Sequence, residues 1–178
     1  MNAVDNNIWT KLQSEAKDYI KSNEDYKDFL ESLVLSNDDF ISSISLKLSR
    51  DLSQAWSFSE KKLFPSILQA LNTKDVSKAI EKDLNAVISR DPATNTILET
   101  FLFSKGFSAL QAYRASNFHW KKETLLSYFL QSRTSQVYGV DIHPAATIGK
   151  GIMLDHATGI VIGETSVIED DVSIFQGV

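Results

Sequence analysis

Three histidines and no cysteine set the chemistry open to this 178-residue sequence. Without a thiol there is no disulfide, no thiolate metal site and no cysteine nucleophile. Acid–base work near neutral pH then falls to imidazole, whose unperturbed pKa of about 6.5 lies in that range, so the candidates are His119, His143 and His156. Asp141 and His143 are close enough in sequence to suggest ligands, but no cysteine and no histidine pair at helical spacing supports them, and no metal site is expected. Gly149-Lys150-Gly151 lacks the four-residue gap and the following Ser/Thr of a phosphate-binding loop and reads as a turn. Asp91 precedes Pro92, a familiar helix start with Asp as N-cap and Pro at the first helical position. A lone histidine beside a turn glycine, as His156 is, reads by itself as an exposed and idle residue.

The elements that must carry these residues change character near residue 139. Only Gly106 precedes that point, whereas Gly139, Gly149, Gly151, Gly159, Gly163 and Gly177 crowd the remainder. The first region has helical spacing: Ile8, Leu12, Ala16, Tyr19 and Ile20; Phe29, Leu33 and Val34; Phe40, Ile44, Leu48 and Leu52; then Val76, Ala79, Ile80, Leu84, Val87 and Ile88, closed by Asp91-Pro92. Asp38 or Asp39 is placed to cap the Phe40 run, and Thr96 to Glu99 has the capping-box pattern. Residues 109–137 read as one or two further helices. Five to eight helices are expected in all.

The second region repeats every six residues. Ile142, Ile148, Leu154 and Ile160 hold one register, and Ile162, Ile168 and Ile174 continue it after a shift of two. A hexapeptide period fits neither an amphipathic helix nor a simple strand, and implies a parallel β-helix with one six-residue unit per flat side and three sides in an 18-residue coil. A small sheet with glycine turns is the alternative. The fold class expected is therefore α+β, with a helical domain over 1–138 and the start of a β-helix over 139–178.

Charge excludes one class of partner. The net charge is −5, and from Ser135 onward Lys150 stands alone against Asp141, Asp155, Glu164, Glu169, Asp170 and Asp171. No basic stripe is available to nucleic acid. No run approaches the ~18 apolar residues of a membrane span. Met1 to Trp9 has no basic segment followed by an apolar one, so the chain is expected to be cytoplasmic.

The run Val140-Asp141-Ile142-His143-Pro144-Ala145-Ala146, followed by Ile148-Gly149-Lys150-Gly151-Ile152-Met153-Leu154-Asp155-His156-Ala157-Thr158-Gly159, closely resembles the signature of the serine acetyltransferase family. Val161-Ile162-Gly163-Glu164-Thr165 continues the match, and Arg90-Asp91-Pro92-Ala93, Lys105-Gly106-Phe107 and Ala109 through Arg114 are similar to the family's helical part. The resemblance implies a left-handed β-helix, assembly as trimers or hexamers, and transfer of acetyl from acetyl-CoA to the hydroxyl of L-serine for cysteine synthesis, with no tightly bound cofactor. By the same resemblance His156 is the general base, Asp141 its orienting partner, and Asp91 and Asp155 the substrate carboxylates; it gives His143 no proton-transfer role, and His119, beside Trp120 in an expected helix, reads as structural by default. The Ser116-Asn117-Phe118-His119-Trp120 stretch departs from the family pattern.

Family members continue through further coils that carry most of the CoA site, and a tail that docks on O-acetylserine sulfhydrylase. With about two coils here, the expectation is a truncated form with little or no activity. The alternatives are a hexapeptide acyltransferase for another small acceptor and a catalytically silent oligomerisation module. Asp141 and His156 lie 15 positions apart, three short of an 18-residue coil, which would set them near one corner of adjacent coils.

Overall fold

The computed structural model describes residues 6–53 and 58–178; the first five residues of the Met1 to Trp9 stretch lie outside them. Eight α-helices precede six short strands among the described residues. The helices are α1 (Asn6–Ser22), α2 (Lys27–Leu30), α3 (Phe40–Leu52), α4 (Glu60–Leu71), α5 (Lys74–Arg90), α6 (Ile97–Phe103), α7 (Lys105–His119) and α8 (Thr124–Tyr138). A single π-helical turn, Glu31–Leu35, follows α2, so the expected Phe29, Leu33, Val34 face is broken: Leu33 and Val34 are buried while Phe29 is exposed.

Local chemistry explains the helix ends. Asp39 caps α3, accepting from the Ser42 amide at 2.7 Å. Thr96 and Glu99 close a full capping box on α6, and Ser104 caps α7 through the Phe107 amide. At Asp91 the expected N-cap is corrected. Asp91 is the residue that ends α5, its backbone extended, and α6 starts only at Ile97. Its carboxylate instead folds onto its own turn, accepting from the Ala93 amide at 2.8 Å and the Thr94 hydroxyl at 2.7 Å. An Asx turn has won over a helix start.

Helix α7 is the centre of the helical part. It packs on α4, α5, α6 and α8 and on the first coil, and nearly all of its residues are buried, Gln111 and Arg114 included. A helix buried on every side has no polar stripe. Tyr138 ends α8, and Gly139 turns the chain in the left-handed region (φ 70°), which glycine enters without steric cost.

From there the chain winds through β1 (Val140–Ile142), β2 (Thr147–Ile148), β3 (Met153–Leu154), β4 (Ile160–Ile162), β5 (Val167–Ile168) and β6 (Ser173–Ile174). The pairs β1–β4, β2–β5 and β3–β6 are parallel, each in its own two-stranded sheet, which is the three-sided parallel β-helix expected from the repeat.

The coil length is corrected. Ile142 lies over Ile162, Ile148 over Ile168 and Leu154 over Ile174, so each turn advances twenty residues rather than 18. Ile142, Ile148 and Leu154 keep the six-residue step, and the two additional residues fall between Leu154 and Ile162. They enlarge the single corner Asp155 to Gly159. The partner of Asp141 is Val161, five residues beyond His156 rather than three. Aliphatic residues of β1, β3 and β4 join those of the helices in one continuous core, while Ile168 and Ile174 are half-buried.

The helices are fixed to the coil by polar bonds as well as packing. The Arg114 guanidinium meets the Asp83 carboxylate at 2.6 Å, both buried, and also donates to the Gly149 carbonyl at 2.8 Å. Asp83 accepts from the Ile152 amide at 3.0 Å with its other oxygen. Burial pushes the Asp83 carboxyl up from its ordinary value, against the pull of Arg114 and its hydrogen-bond donors. Tyr113 donates to the Ala146 carbonyl and Asn117 to the Pro144 carbonyl.

Candidate active site

The enlarged corner carries His156. Both His156 (φ 52°) and Ala157 (φ 60°) occupy the left-handed region that side chains disfavour. Two successive three-residue turns form here, with the Ala157 amide donating to the Asp155 carbonyl and the Thr158 amide to the His156 carbonyl at 2.8 Å. The Gly159 amide then donates to the Gly139 carbonyl at 2.8 Å, returning the chain to the coil. Ala157 points into the core, and the imidazole is thrown outward with its side chain 74% exposed. A strict six-residue repeat would have had no room for this projection.

The imidazole faces an open cleft of about 610 Å³ between the coil and the helices. Its walls include Asp155, His156 and Thr158 from the corner, Asp91 and Thr94 from the turn after α5, and Lys105 and Gly106 from the start of α7. Gly106 is required there: a Cβ on it would overlap the Leu154 carbonyl oxygen, so only glycine lets α7 press on β3.

Three of the four residues anticipated for the site therefore share one cleft. The Asp155 carboxylate stands 3.7 Å from Nε2 of His156, beyond hydrogen-bond reach. The Asp91 carboxyl is held below its usual range, first by the Thr94 hydroxyl and the Ala93 amide, and further by the charge His156 carries when protonated. Asp91 and His156 are thus electrostatic neighbours from opposite sides of the cleft. The fourth residue, Asp141, is not in the cleft wall. It lies half-buried on β1, with its carboxylate accepting from Gln131 Nε2 of α8 at 2.7 Å.

The other two histidines are engaged elsewhere. His143 packs edge-on against Trp120 and Tyr128, and its Nδ1 accepts from the Ala145 amide at 3.2 Å. His119 is buried, with Nε2 at 3.0 Å from the Ser66 carbonyl. Among the described residues no group of three or more His, Asp or Glu side chains gathers as a metal site, and no helix is long and apolar enough to cross a membrane. Two wall residues escaped sequence reasoning as members of a site. Thr94 is separated from Asp91 by only three positions, but its role depends on the Asx turn. Lys105, whose Nζ donates to the Thr158 hydroxyl, is 53 positions from its partner.

A helical part bolted to a parallel β-helix, with a histidine and two carboxylates lining the cleft between them, defines a hexapeptide-repeat protein. The model of the serine acetyltransferase N-terminal region matches residues 8–112. A serine acetyltransferase of Buchnera aphidicola (subspecies Acyrthosiphon pisum) is 46% identical over 175 residues, covering 96% of this chain and 63% of the relative. The soybean serine acetyltransferase solved with serine superimposes with a TM-score of 0.91 at 37% identity, covering 96% of this chain and 70% of that one. The Brucella abortus enzyme solved with coenzyme A gives 0.93 at 33% identity, with 97% and 69% covered. The chain belongs to the serine acetyltransferase family. Its architecture is α+β, an all-helical N-terminal part followed by coils of a left-handed parallel β-helix. It spans 63% of the length of that Buchnera relative and 66% of a second, the serine acetyltransferase of Buchnera aphidicola subspecies Schizaphis graminum.

Proposed function

We propose that the protein is a serine O-acetyltransferase, moving acetyl from acetyl-CoA to the hydroxyl of L-serine to give O-acetylserine, the precursor of cysteine. The observation that carries this reading is the convergence of Asp91, Asp155 and His156 on one cleft. A relative of the same fold is solved with serine, and another with coenzyme A.

The chemistry follows from the residues. A serine hydroxyl attacks a thioester only as its proton is removed, and an exposed imidazole is the one wall group suited to that work near neutral pH. In this reading His156 takes the hydroxyl proton as the serine oxygen bonds to the acetyl carbon. The C–S bond then breaks, and the imidazolium returns the proton to the departing thiolate. Acetyl passes directly, with no acyl-enzyme. Asp91, its carboxylate stabilised by its own turn, and Asp155, beside the ring, pair with the ammonium and hydroxyl ends of serine. Asp141 is assigned the orienting role for the imidazole. Its carboxylate accepts from Gln131 outside the cleft wall, and assembly as a trimer or a pair of trimers is part of the same proposal. Docking on O-acetylserine sulfhydrylase is assigned to the tail of the longer family members and not to these 178 residues.

Release of free CoA, followed with a thiol reagent, tests the reading; these 178 residues contribute no thiol of their own. Release must depend on L-serine. Equal rates with sugars or unrelated amines would instead make this an acyltransferase of another specificity.

A further inference from the structure

Lys105 is far along the chain from the residue it bonds, and that residue belongs to the His156 corner. The first residue of α7, Lys105 reaches from the helical part to the Thr158 hydroxyl. Gly106, its neighbour, brings it there by allowing α7 to sit on the Leu154 carbonyl. The backbone of the corner has anchors of its own, from Gly159 to Gly139 and from Gly177 to the Thr158 carbonyl. Among the described residues, Lys105 supplies the one side-chain hydrogen bond from the helices to the corner's two left-handed residues and the threonine after them. A corner enlarged by two residues and held in a disfavoured conformation needs such a restraint, because small displacements of a catalytic group are costly.

We propose that Lys105 is a positioning residue for His156, acting through Thr158. Its ammonium clamps the corner so that the imidazole keeps one direction into the cleft. This inference rests on the reading of His156 as general base. It assigns Lys105 no contact with serine, although the side chain is in the cleft wall.

The test uses the intact enzyme with Lys105→Met, Lys105→Arg, Thr158→Val and the double variant Lys105→Met/Thr158→Val. Lys105→Met is expected to lower kcat about tenfold while the KM for serine stays within about twofold. Thr158→Val should reproduce that loss, the double variant should be no worse than either single one, and Lys105→Arg should restore most of the rate. Thr158 is exposed, so its variant tests the clamp even if Lys105→Met folds poorly. Amide exchange read on this chain should show the Gly159 N–H exchanging at least about fivefold faster in both single variants. An unchanged kcat and exchange rate in Lys105→Met overturns the proposal. So does a raised serine KM at constant kcat, which would make Lys105 a substrate ligand. A full-length wild-type enzyme with no serine-dependent CoA release would sink the functional reading instead, leaving the exchange measurement on this chain to judge the clamp.

Discussion

The Asp155 carboxylate lies 3.7 Å from Nε2 of His156 at a corner where the backbone of His156 is left-handed. Adjacent residues on a regular strand point to opposite faces, so it is the turn that brings these two side chains together. The contact is too long to fix a tautomer, and it leaves the carboxylate free for a ligand. Asp155→Asn is accordingly expected to raise the serine KM about tenfold or more, from the loss of a charged partner. Asp141→Asn should instead lower kcat. Steady-state kinetics of the two variants separate the roles.

The carboxylate of Asp91 is stabilised by its own turn. The Thr94 hydroxyl and the Ala93 amide stabilise the carboxylate, holding it below its ordinary value. A carboxyl depressed on folding contributes stability above its unfolded pKa and loses it as pH falls through the folded value. Asp91 therefore stays ionised through the neutral range, and an acid limb of activity in that range is not its own. Thr94→Val should leave turnover at neutral pH nearly intact, whereas Asp91→Asn should raise the serine KM. Measuring kcat/KM from about pH 5 to 9 for both variants checks this.

Arg114 and Asp83 hold the helices to the first coil. Truncating one partner of a buried pair leaves the other charge unmatched, at a cost of about 3–5 kcal/mol. Arg114→Ala should lose that much in chemical denaturation and remove the bond to the Gly149 carbonyl. Because burial raises the Asp83 carboxyl above its ordinary value, its contribution to stability declines as pH rises from that ordinary value through the folded one. Asp83→Asn should flatten that part of the stability profile.

Gly106 is the tightest packing point at the cleft. Gly106→Ala would drive a Cβ into the Leu154 carbonyl oxygen, so α7 or β3 must move. A loss of about 1–3 kcal/mol is expected in the unfolding transition, typical of overpacking. CoA release should fall with it, since the same shift moves the corner.

Much of this molecule is legible in the sequence where one period dominates. Phe40, Ile44, Leu48 and Leu52 name the buried face of α3, and Ile142, Ile148 and Leu154 name three sides of a coil. Legibility ends where two local solutions compete. Asp91-Pro92 suits a helix start as well as an Asx turn, and Thr94 decides it. Ile160 keeps the six-residue step, yet it pairs with Val140 because the corner before it is two residues longer. In the sequence that lengthening shows only as an interruption of the repeat between Leu154 and Ile162. The clamp from Lys105 to Thr158 has no sequence signal, since its partners meet only through the docking of α7 on β3.

Replacing His156 is the most direct trial of the site. The ring is largely exposed and the corner's backbone bonds do not involve it, so His156→Gln should fold with an unchanged melting temperature. Serine-dependent release of CoA at saturating substrates should drop by roughly 10²–10⁴-fold, the contribution of a placed general base. Turnover within about twofold of the unaltered enzyme would contradict the assignment of the proton transfer to this imidazole.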